Sequence, residues 1–135
     1  MLTFFETISI YNTFFNEATG FDDYYKTVVN ACSWYSKIKA VTGEIGLVYK
    51  KVFMVRIPEF AESDKVFATP EQYTDPEKQY TLKAGSFVIK GDGPPAPTDG
   101  AQREKMLKGR TDAFIILDWH DNRHIGLKHV YVEGT

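Results

Sequence analysis

Apolar side chains recur along this chain mostly at every second position or in short runs, the spacing of strands rather than helices. Ile8-Ser9-Ile10-Tyr11 alternates and meets Asn12, which predicts a first strand. Asn16 to Asp23 reads as a turn, since Asn, Gly and two Asp surround Phe21. Tyr24 to Val29 is β-branched and aromatic and predicts a second strand, extended by Ala31 to Tyr35. Gly43 and Gly46 then interrupt the pattern before Leu47 to Ile57, the clearest alternating strand, which Pro58 ends because proline cannot donate to a ladder. Thr69-Pro70-Glu71-Gln72-Tyr73 predicts a capped helical turn. Ser86 to Lys90 predicts a further strand closed by Gly91, Ala113 to Leu117 a buried one, and Lys128 to Val132 the last, with Asp121-Asn122-Arg123 as the turn before it. Ala101 to Lys108 has the composition of a short helix ended by Gly109.

These elements predict a mainly β protein: a small barrel or sandwich of about six strands in a single domain over residues 1–135, with one or two short helices. Its one long loop is Gly91-Asp92-Gly93-Pro94-Pro95-Ala96-Pro97-Thr98-Asp99-Gly100, whose glycines and prolines oppose a regular ladder and predict an extended, exposed segment, flexible over about 91–110.

Composition adds three constraints. A 135-residue chain of 15.4 kDa buries about 68% of its unfolded surface, enough for a core without metal or disulfides. The formal net charge of −2 argues against a dedicated nucleic-acid binder. The single cysteine, Cys32, leaves no disulfide framework and no cysteine-rich zinc site. Twenty aromatic residues suit strands and large contact surfaces. Met1 to Glu6 lacks the basic start of a signal peptide, and the longest apolar run, Ala113 to Leu117, is far short of a membrane helix, so the expectation is a reducing cytoplasm with no membrane partner.

Candidate chemistry is sparse. All three histidines, His120, His124 and His129, fall within ten positions beside Asp118 and Asp121, and two His with a carboxylate can form an open metal site. The spacing matches no helical ligand pattern, and if His120 ends one strand while His129 lies on the next, the two are expected to face opposite sides. A polar turn explains the segment more simply. Cys32-Ser33 lacks a neighbouring glycine for an oxyanion hole and reads as core. Gly91-Asp92-Gly93 is followed by prolines where a phosphate loop needs backbone N–H groups. Lys37, Lys39, Lys50 and Lys51, interleaved with Trp34, Tyr35 and Tyr49, make a mild basic patch of the kind that binds single strands, or a solvated strand edge. The expectation is therefore a protein without enzymatic activity, cofactor or metal, working through contact with other proteins.

Several runs together resemble a family of small minor structural proteins encoded among the head-to-tail joining genes of tailed phages and prophages of Gram-positive bacteria. They are Ile10-Tyr11-Asn12, Thr27-Val28-Val29, Cys32-Ser33-Trp34-Tyr35, Val55-Arg56-Ile57-Pro58, the stretch Leu82 to Gly91, Asp121-Asn122-Arg123 and the stretch Leu127 to Gly134. Ser86 departs from the pattern, where an aspartate is expected after the glycine. The resemblance implies a virion protein of the phage neck, assembled in the bacterial cytoplasm. A β-rich subunit with a long loop fits a head-closure (stopper) ring of six or twelve copies that extends the portal channel and retains DNA until the tail attaches. Its implied partners are portal or adaptor proteins above, tail-terminator or tail-tube proteins below, and packaged DNA in transient non-specific contact. Gly91, Asp92, Gly93, Pro94, Pro95, Pro97 and Gly100 form the candidate interaction or gating loop. A tail terminator or another minor capsid protein is the alternative within this class. Outside it stand a metal-dependent hydrolase using His120, His124 and His129, and a carbohydrate- or oligonucleotide-binding β-module.

Overall fold

A computed structural model describes residues 4–124, 126 and 128–135, apart from the side chain of Val41. Met1 to Thr3, part of the predicted N-terminal segment, and Leu127, first residue of the Leu127–Gly134 run, lie outside the described residues. The elements run β1 (Glu6–Asn16), β2 (Phe21–Gly43), β3 (Gly46–Pro58), β4 (Glu62–Ser63), β5 (Val66–Phe67), β6 (Gln79–Tyr80), β7 (Phe87–Lys90), α1 (Gly100–Leu107), β8 (Ala113–Asn122) and β9 (His129–Gly134).

Six of these strands close on themselves. The sheet order is β1-β7-β8-β9-β3-β2, and β2 pairs back onto β1, so a small barrel forms with antiparallel neighbours throughout. Closure removes the open edges that a flat sheet of this composition would expose. The mainly β expectation holds, with six barrel strands of four to 23 residues and one helix among the described residues.

Alternation sorts the side chains. Ile8, Ile10, Val29, Val55, Ile57, Leu82, Val88, Phe114, Ile116, Val130 and Val132 point inward and form the main core. At one mouth Trp34, Phe53 and Phe114 pack ring to ring, with centroids 5.4–5.5 Å apart.

The closing strand is β2, 23 residues long. Its first part pairs with β1 and its second with β3. The change of partner falls at a bulge, where Ile8 faces Val29 but Glu6 faces Cys32, so β2 carries one extra residue. Ala31 absorbs it at φ 65°, a left-handed conformation that costs a non-glycine residue about 1 kcal/mol or more.

Several expected boundaries are corrected. β1 runs on to Asn16 because it pairs with β2 to the hairpin turn. β2 continues to Gly43, giving the sheet a two-stranded extension with β3. The 69–73 segment is a turn closed by Gln72 N–H donating to Thr69 O at 2.9 Å, not a helix. Asp121 and Asn122 are not turn residues: they pair with Val130 and His129 at the end of β8.

The helix is where the sequence places it. Asp99 caps it by accepting from Gln102 N–H at 2.8 Å.

Candidate interaction surfaces

The 91–110 segment is the first candidate; half of residues 91–100 are exposed, as expected, but the segment does not stand free of the barrel. It turns back across the outside of the barrel and covers Tyr11, Phe87 and Ile89, which point outward from β1 and β7. Ala96, Met106 and Leu107 from the segment pack on them, and Pro97 is buried. The polar tethers are specific. Gly91 N–H donates to Thr7 O at 2.6 Å. Ser9 Oγ donates to Gly91 O at 2.7 Å and accepts from Gly93 N–H at 2.9 Å. Tyr11 Oη donates to Pro94 O at 2.6 Å, and Lys26 Nζ bridges Asp92 and Gly93 O.

Tyr11 also stacks on Phe87 with centroids 4.5 Å apart, and burial pushes its phenol up to about 12. A Cβ on Gly93 would lie 2.5 Å from Tyr11 Oη, so a larger residue there would push the Tyr11 hydroxyl from its place on Pro94 O. Asp92, Pro95, Thr98, Asp99 and Gly100 remain exposed and form its outer rim.

Tyr11→Phe is expected to loosen this strap. It removes one hydrogen bond, worth about 1 kcal/mol, and leaves the stacked ring in place. Tryptic cleavage at Arg103 to Arg110 should accelerate several-fold while the urea midpoint falls only slightly. An unchanged cleavage rate would show that apolar packing alone holds the strap.

The histidine region proves to be an ordered outer face. His120 faces Tyr131, and Asn122 faces His129. His120 and His129 therefore share one side of the sheet as diagonal neighbours, contrary to the opposite-sides expectation, because pairing partners always project together.

Each has its own partner. His120 Nε2 lies 3.2 Å from Asp118 Oδ2 and its ring 5.7 Å from Tyr131, while His129 Nε2 lies 3.3 Å from Asn122 Nδ2. His124 sits in the exposed turn that follows. Among the described residues no three His, Cys, Asp or Glu side chains converge on one point.

The face continues through Tyr131, whose hydroxyl donates to Glu133 Oε2 at 3.0 Å and whose ring lies under Arg56 at 5.1 Å. Arg123 grips Asp121 with a two-toothed fork at 2.8 and 2.9 Å, which holds that carboxyl down to about 2. These polar residues clip the β8 end together.

Cys32 and Ser33 are both buried. Burial pushes the Cys32 thiol up to about 12, which leaves it protonated and unreactive near neutral pH.

The surface that the sequence did not foresee is the extension of β2 and β3. Ser36 to Gly43 pairs with Gly46 to Phe53, and only from Phe53 onward does β3 gain its second neighbour, β9. A two-stranded arm therefore leaves the barrel, roughly 25 Å long at the usual rise per residue.

Its two faces differ. Ile38, Ala40, Leu47, Tyr49 and Lys51 share the side that continues the barrel interior, yet Ile38, Leu47 and Tyr49 are 68–73% exposed. Lys37, Lys39, Val48 and Lys50 share the other, with Lys39 directly opposite Lys50. The four lysines of the patch are thus gathered on one projection. Like charges across a strand pair cost a few tenths of a kcal/mol to about 1 kcal/mol, and uncovered Ile, Leu and Tyr forgo about 1.5–3 kcal/mol each.

The signal was present in the alternation Lys37-Ile38-Lys39-Ala40, which is strand-like but polar.

At the opposite end of β2 lies the tip of the β1–β2 hairpin. Phe15 and Phe21 are exposed there, 57% and 76%, beside Glu17, Asp22 and Asp23. The tip borders the start of α1, and a cleft of about 460 Å³ lies between them, lined by Phe21, Asp22, Asp23, Tyr24, Thr98 and Asp99. No helix among the described residues is long and apolar enough to cross a membrane.

Comparison with curated proteins and with solved structures finds no match. Over residues 3–135, almost its whole length, the chain matches one protein family, and it belongs to that family, DUF6751, a family of unknown function.

Proposed function

We propose that this protein is a structural subunit of a tailed-phage virion, a head-closure ring component in the neck. The observation that carries the reading is the long two-stranded arm, with its exposed apolar and lysine-bearing faces, on a closed six-stranded barrel. A monomer gains nothing from holding Ile38, Leu47 and Tyr49 in water on a rigid ribbon, whereas a subunit with neighbours covers them. The family-like runs along the sequence support the same class.

A ring subunit needs two different lateral surfaces plus an upper and a lower one, since heterologous contacts close with cyclic symmetry. The arm, the β1–β2 tip, the strap and the Asp118-to-Glu133 face are four such regions. A net charge of −2 suits a conduit that DNA must traverse without sticking. The strap rim, with Asp92, Pro95 and Gly100, is the segment assigned to contact with the channel or a neighbour.

Deletion of the gene from a phage that encodes this chain tests the reading. DNA-emptied heads and free tails of normal length should accumulate, and purified protein added to the extract should restore joined particles. Tails of irregular length would favour a terminator, and joined infectious particles without the protein would overturn the proposal.

A further inference from the structure

Charge on this molecule is segregated between the two hairpins that β2 connects. The arm, residues 35–51, carries four lysines against one glutamate, a formal +3. The β1–β2 hairpin tip, residues 14–23, carries Glu17, Asp22 and Asp23 with no basic residue, a formal −3, and Asp99 across the cleft adds a fourth carboxylate. Each region also presents large apolar side chains to solvent: Ile38, Leu47 and Tyr49 on the arm, Phe15 and Phe21 at the tip. The two therefore match in charge and in apolar character, and they cannot meet within one chain, because they sit at opposite ends of one continuous strand.

We propose that the arm of one copy docks on the acidic β1–β2 tip of the next copy, with Tyr49 or Leu47 entering the cleft beside Phe21. This deepens the ring reading and rests on its premise that copies of the chain meet. The contact is heterologous, pairing two different surfaces, and so repeats from subunit to subunit. Arm against arm would oppose +3 to +3, which disfavours a two-fold dimer through the same ribbon. The other acidic stretch, residues 59–78, intersperses Lys65 and Lys78 among its carboxylates and lacks this uniform sign. Complementary charges suit a contact that forms on a template, since they steer approach while each single contact stays weak.

Disulfide trapping between singly substituted full-length proteins tests the pairing, with Cys32 buried and out of reach. Tyr49→Cys mixed with Phe21→Cys should cross-link at least tenfold faster than Tyr49→Cys with itself, or with Glu71→Cys on the other acidic stretch. Lys51→Glu, on the same face as Tyr49, in the arm partner should remove most of that advantage, and adding Asp23→Lys, on the same face as Phe21, to the tip partner should restore it. Equal rates for all three pairs, or faster arm-to-arm linkage, would overturn the proposal. So would salt-sensitive binding of a single-stranded oligonucleotide to the arm without the mixed disulfide, which would assign the lysines to nucleic acid. Trapping repeated with the double variant Tyr49→Cys/Phe21→Cys, in which every copy can link to two neighbours, separates this inference from the one beneath it by the mass of the product. Open chains joined by the mixed disulfide uphold the contact and refute the ring, whereas closed rings lacking it uphold the ring and refute the contact.

Discussion

Asn12→Leu is expected to destabilise the fold by about 3–5 kcal/mol, enough to unfold a marginal domain of this size. Asn12 is buried on β1, and its side chain serves three groups. Its Nδ2 donates to Thr81 O at 2.7 Å and to Ser86 Oγ at 3.2 Å, and its Oδ1 accepts from Thr81 N–H at 3.1 Å. Thr81 and Ser86 are themselves buried, so water cannot replace the lost partner. Leaving one buried donor or acceptor unpaired costs about 1–3 kcal/mol, and here both backbone groups of Thr81 are orphaned at once. A leucine of similar volume fills the space, which isolates the polar cost from a cavity. Urea denaturation measures the effect. A midpoint within experimental scatter of the parent would mean that the 81–86 connection is held by packing of Leu82 alone.

Gly134→Ala should cost about 2–4 kcal/mol by a different route. A Cβ there would lie 2.0 Å from Ile115 O and 2.5 Å from Phe114 Cδ2, and backbone cannot yield as a flexible side chain can. Gly134 pairs with Ile116 on one side and Phe53 on the other, at the register shift where Leu117 bulges from β8. Pushing β9 away would open two ladders of the barrel together. Gly20→Ala is the control: its φ of +76° makes alanine strained, yet nothing lies within 4 Å, so only about 1 kcal/mol should be lost. Thermal melts of the two variants should differ by several degrees, and similar melting temperatures would show that the chain end simply shifts aside.

Much of the barrel was legible because its strands alternate. Leu47 to Ile57 reads as a strand in sequence and lies in one, and the helix expected over Ala101 to Lys108 before Gly109 spans Gly100–Leu107. The arm was missed for a physical reason. Lys37 to Thr42 alternates, but its apolar positions serve no core of this chain, so in sequence the segment reads only as part of a mild basic patch ahead of Gly43.

Register was equally hidden. Whether His120 and His129 share a face depends on the length of the β8–β9 turn, and a difference of one residue reverses the answer. The strap left a trace that composition overrode. Ile8 to Asn12 is buried on both faces, and its outward positions are Ser9 and Tyr11, hydroxyl-bearing residues that an uncovered strand has no need to place there. Prolines and glycines announced a loop, but only the tertiary contacts show that the loop is fastened down.

The 23-residue strand β2 also determines how the molecule carries load. A pull applied between the tip near Phe21 and the tip near Gly43 runs along one covalent backbone. The ladders with β1 and β3 then lie parallel to the force and are loaded in shear, so many hydrogen bonds must fail together rather than one after another as in peeling. The compliant point on that line is the bulge at Ala31, where straightening the left-handed residue can lengthen the strand before any ladder breaks. A chain built this way behaves as a stiff tie with one short spring in the middle.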